Sequence, residues 1–144
     1  MEPKMYFNSD AEMFACLEDW KQRLGLSDWW IACRICKAED MKLEGVAGES
    51  EVQHVNRCGL ISLLCKEELP RDMILKQPHE QTLIHELLHF KFMMIDNESY
   101  ESMFLCESQH ALLEDIAKAL YMAKYNLGWS WFIETAHRIS KQPE

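Results

Sequence analysis

Long apolar runs are missing from this chain of 144 residues, and none is long enough for a helix that spans a bilayer. Positive charge is also scarce. Fifteen Lys and Arg stand against 24 Asp and Glu, giving a net charge of -9, and no basic cluster breaks the acidic balance. A chain of that sign is poorly matched to a phosphate backbone, so neither nucleic acid nor a membrane is expected as a partner. The first ten residues lack a basic stretch followed by an apolar core, so no signal peptide is expected and the chain reads as cytoplasmic. Repeats, low-complexity tracts and a linker to a second domain are absent as well. What remains, 48% apolar and 27% charged, describes one soluble globular domain over 1–144.

Six cysteines are present: Cys16, Cys33, Cys36, Cys58, Cys65 and Cys106. In a cytosol they are expected as reduced thiols. Cys33 and Cys36 form a C-x-x-C within the strand-like run 29–36, and Cys58 and Cys65 are likewise an odd number apart in a second such run. An odd offset on a strand sends two side chains to opposite faces, so these are read as small buried residues and not as chelating or redox pairs.

The order of elements follows from caps and periodicity. Ser9 and Glu12 have capping-box form, and Met13, Phe14, Leu17, Trp20, Lys21 and Leu24 trace a largely apolar helical stripe ending at Gly25. Residues 29–36 read as a strand and 38–50 as a loop or weak hairpin. Residues 51–55 and 57–65 read as further strands. A connector, 66–77, contains Pro70. A helix is then expected from His79 to about Ile95, free of Gly and Pro. After a polar link, a third helix is expected from about Met103 to Asn126. A short aromatic tail within 129–144 follows (Trp129, Trp131, Phe132, Ile133) and is placed over a cleft or a contact surface. The fold class is α+β: N-terminal helix, small antiparallel sheet of about three strands, motif helix, long C-terminal helix, tail.

The motif is His85-Glu86-Leu87-Leu88-His89, an H-E-x-x-H. On a helix the two imidazoles lie one turn apart on one face and can grip one metal ion, for which zinc is the natural choice. Glu86, beside the first His, can reach a water on that metal without ligating it. The surrounding Leu83, Ile84, Leu87, Leu88, Phe90 and Phe92 mark a buried helix, where a His-Glu-His face needs a compensating partner.

With this motif and a downstream helix carrying His110-Ala111-Leu112-Leu113-Glu114-Asp115-Ile116-Ala117, the chain resembles a minimal thermolysin-type gluzincin. Such short zincin-like domains are often carried by phages and prophages. The resemblance spans about 9–126 and is specific only in the five motif residues. It implies a zinc metallopeptidase, a hydrolase that cleaves peptide or protein substrates. It also implies a third zinc ligand on the next helix, with a carboxylate one turn further on supporting a ligand histidine. Here the ligand slot falls on His110, where the family has Glu, and the support slot falls on Glu114. The opposite registration makes Glu114 the ligand, and Glu107 is a weaker third choice. All three share one helical face, so spacing leaves them open, with His110 preferred as ligand and Glu114 as orienter.

In the expected mechanism Glu86 is the general base, and an additional electrophile comes from His137, Tyr121, Tyr125 or Tyr100. By the same resemblance, an extended substrate would pair with the strand at 57–64. His54 and His79 have no partner at ligand spacing and are read as structural or solvated. Two rival functions stand beside the peptidase: a catalytically silent, zinc-stabilised binding or regulatory module, and a metal-free helical interaction protein with His85 and His89 in its core.

Overall fold

The computed structural model describes residues 2–69, 76–92 and 103–141. Helix α1 (Asp10–Arg23) begins where the sequence places it, with the Ser9 hydroxyl accepting the Glu12 N–H at 3.1 Å. It stops at Gly25, whose φ of +70° no side chain opposes, and the Leu26 N–H returns to Lys21 O at 2.7 Å. Three strands follow, β1 (Trp30–Cys36), β2 (Gly48–Gln53) and β3 (Cys58–Leu64). Helix α2 (His79–Lys91) carries the motif, α3 (Met103–Tyr125) follows, and α4 (Trp129–Lys141) ends the described chain.

The arrangement is α+β, but the sheet is mixed and not wholly antiparallel. Its order is β1-β3-β2. From β1 the chain crosses to the far edge, forms β2, and turns back through 54–57 into the central position. β3 therefore pairs antiparallel with β2 and parallel with β1. Spacing within each strand cannot show that insertion. β2 also begins three residues before the expected strand, because Gly48 and Ser50 are drawn into it by pairing with Leu63 and Ile61. The expected aromatic tail is helical: Trp129, Phe132 and Ile133 recur at i, i+3 and i+4, and Phe132 is buried.

Helices pack on one face of the sheet. α1 lies against β1, α2 against β2 and β3, and α3 covers α2. Every residue of α2 is buried except His85 and Lys91. Leu83, Ile84, Leu87 and Leu88 join Met13, Leu17, Ile61, Leu63 and Leu113 in the core. The motif helix is thus the central strut of the described structure, packed against α3 on one side and the sheet on the other. Among the described residues no helix is long and apolar enough to cross a membrane. Cys16, Cys33, Cys36, Cys58 and Cys65 are free thiols.

Candidate metal centre

His85 and His89 leave α2 on the side that meets α3. Their rings stand 5.1 Å apart, and their Nε2 atoms face each other at 3.2 Å. From α3, His110 lies parallel to His85 at 5.8 Å between ring centres and 5.2 Å from His89. One donor atom of each ring can be chosen so that all three lie within 4.8 Å of one another. Nitrogens bound to a tetrahedral zinc at the usual bond length are about 3.3 Å apart, so the His85–His89 pair already has the spacing of a chelate. His85 is half-buried, His89 buried and His110 exposed, which leaves the group open on one side.

Glu114, one turn beyond His110, does not join the three rings. Its Oε2 accepts from His85 Nδ1 at 2.8 Å, and its Oε1 accepts from Gln81 Nε2 at 2.6 Å. Burial pushes the Glu114 carboxyl up, but the His85 and Gln81 hydrogen bonds outweigh it and hold the group below the ordinary carboxylate range. An ionised carboxylate accepts the Nδ1–H of His85, which leaves the Nε2 lone pair on the side of His89. The geometry therefore separates two residues that spacing could not: His110 converges with the motif histidines, and Glu114 stands behind one of them. Glu107 is exposed and outside the group.

Glu86 points the other way around the helix, under the edge strand. It is 6% exposed, and Ser50 of β2 lies close enough to favour its ionised form. Gly48 allows the close approach: a Cβ there would come within 2.7 Å of Thr82 Cγ2 and 3.2 Å of Glu86 Oε1. Burial pushes the Glu86 carboxyl above its usual value, while the His85 and His89 imidazoles and Ser50 pull it back. A carboxylate so placed holds a proton more readily than a solvated one and sits within electrostatic reach of both imidazoles.

Two of the expected electrophiles are elsewhere. The Tyr125 hydroxyl donates to Glu80, and the Tyr121 ring is buried among Tyr125, Trp131 and Phe132. Tyr100 lies outside the described residues, as does the side chain of His137. The substrate strand expected at 57–64 is corrected too. β3 is central and paired on both sides, so its main chain is already used, and the edge next to α2 is β2. His79 is structural, as its lack of a spaced partner suggested: Phe7 N–H donates to its Nδ1 and its Nε2 lies 3.0 Å from Leu64 O. Gln81, Gly48 and Ser50 carried no signal that was read from the sequence, although Gln81, four residues before His85, could have been found by the same helical spacing that links the motif.

No family model matches the chain, and neither the curated proteins nor the solved structures with which it was compared give a significant match.

Proposed function

We propose that the protein is a zinc-dependent peptidase, with His85, His89 and His110 as metal ligands, Glu114 orienting His85, and Glu86 as general base. The observation that carries this reading is the convergence of three imidazoles, with the buried Glu86 carboxylate within electrostatic reach of two of them, His85 and His89. When bound, zinc supplies a Lewis acid that acidifies water and polarises a carbonyl. Glu86 takes the water's proton and delivers it to the leaving amine, a task its raised affinity for protons suits. Among the described residues β2 is the edge strand beside α2, and an extended peptide adding there would lie next to Glu86 by main-chain pairing. The resemblance to gluzincins supports the same assignment through the motif and the helix that follows it.

The test couples two measurements on Glu86→Gln: bound metal, and cleavage of an unfolded protein substrate. Metal content should stay at the wild-type level, while cleavage falls by about 10²- to 10⁴-fold. Undiminished cleavage overturns the mechanism. A wild-type protein that holds zinc and cleaves nothing is the silent module, and one that takes up no zinc is the metal-free interaction protein.

A further inference from the structure

Gln81 stands one turn before His85 on the same face of α2 and is wholly inaccessible to solvent. Its neighbours along the helix, Leu83, Ile84, Leu87 and Leu88, are all core residues. An amide in such a place needs both polar ends paired. Only one end is paired: Nε2 donates to Glu114 Oε1 at 2.6 Å, while Oε1 has no hydrogen-bond partner among the described residues. A buried carbonyl without a donor weakens a fold, and a Met or Leu would fill the same space without that penalty. The fold alone gives no reason for the amide. Glu114 gives one.

The two oxygens of Glu114 are divided between Gln81 and His85. A carboxylate held at one oxygen cannot rotate freely, so the other oxygen is aimed at His85 Nδ1. The donor is also neutral. A Lys or Arg at position 81 would neutralise Glu114 and compete with His85 for it, and a Glu or Asp would repel it. An amide fixes the carboxylate and leaves its whole charge for the imidazole.

We propose that Gln81 is a positioning residue for the metal centre: through Glu114 it sets the tautomer and ring orientation of His85, and so the grip of the three histidines on a divalent cation. The affinity part of this statement rests on the metal site proposed above. The tautomer part does not.

The test uses the full chain, metal-free and with zinc. In the wild type without metal, nitrogen NMR of the histidine rings should find His85 predominantly as the Nδ1–H form; a predominantly Nε2–H ring overturns the proposal whether or not zinc binds. In Gln81→Met, the Nδ1–H population should fall, zinc affinity should drop about tenfold, and the metal-free protein should melt no lower than the wild type. In a Glu114→Ala background, Gln81→Met should change zinc affinity no further. A purely structural residue would give the reverse pattern, with lower melting and the same affinity loss in both backgrounds, and that result overturns the proposal. If the wild type takes up no zinc, the metal reading fails by itself, and the His85 tautomer in Gln81→Met still decides: an unchanged population overturns the role of Gln81.

Discussion

His79 receives the Phe7 N–H on Nδ1 at 3.2 Å and gives its Nε2 proton to Leu64 O at 3.0 Å, with the rings of Tyr6 and Phe7 against it. It ties the segment before α1 to the start of α2 and the end of β3. A second proton would have to sit on Nδ1, where it would expel the Phe7 N–H. Burial lowers the affinity of this imidazole for protons below the ordinary value of 6.5, against smaller opposing pulls from Leu64 O and Glu67. The unfolded chain therefore takes up the proton at a higher pH than the folded one. The stability that His79 contributes is complete above about 6.5 and is lost as the pH falls through the lower folded value. An NMR titration should give His79 a midpoint below 6.5, and the thermal midpoint of the metal-free protein should fall between pH 7 and pH 5. A midpoint at or above the ordinary value contradicts the assignment. His85, six residues on in the same helix, is paired with a carboxylate instead of a carbonyl.

Glu80 joins three elements at once. From the first turn of α2 its Oε1 accepts from Trp20 Nε1 of α1 at 2.7 Å and from Lys124 Nζ of α3 at 2.5 Å, and its Oε2 accepts from Tyr125. Lys124 reaches Asp19 of α1 as well, at 3.1 Å. The side chains of Glu80 and Lys124 are only 5% and 8% exposed, so water screens this pair little. Burial pulls the Lys124 ammonium toward neutrality, but Glu80 and Asp19 outweigh it and hold its proton more firmly than usual. Charges this deep are costly to separate: Glu80→Ala should lower unfolding stability by about 3–5 kcal/mol, because Lys124 is left buried without its main partner. Glu80→Gln combined with Lys124→Met should recover much of that loss, since no buried charge is left without its partner and the amide can still pair with Trp20 and Tyr125. Denaturant unfolding of the two variants checks both statements, and a double variant as unstable as Glu80→Ala would show that the lysine charge is not the cause. The network ties the first turn of α2, directly before Gln81, to α1 and α3.

Across the whole molecule, what could be read from the sequence was what depends on near neighbours. The Ser9 cap, the apolar stripe of α1 apart from the exposed Phe14, and the four-residue spacing of His85 and His89 are local, and the structure keeps them. The place of β3 between two strands depends on where the crossover from β1 lands, which no residue in 37–47 encodes by type, so the substrate strand was assigned to the wrong member of the hairpin. Ser50 and Gly48 fell in a stretch read as loop, and became part of the site only through pairing with β3. Positions 107, 110 and 114 are equivalent by helical spacing, and only the distance between α2 and α3 separates His110 from Glu114. That same distance makes the proposed metal a tie between two helices whose connection lies outside the described residues. A ligand that binds the folded chain alone, at a free concentration 100 times its dissociation constant, adds about 2.7 kcal/mol of stability. For a chain of this size that corresponds to a rise of roughly 8 °C in Tm. Zinc should produce this shift, and a chelator should reverse it. In His110→Ala, where α3 no longer contributes a ligand, the shift at the same zinc concentration should shrink to less than half. An undiminished shift in that variant would mean that α3 takes no part in holding the ion, and the three-histidine centre would have to be abandoned.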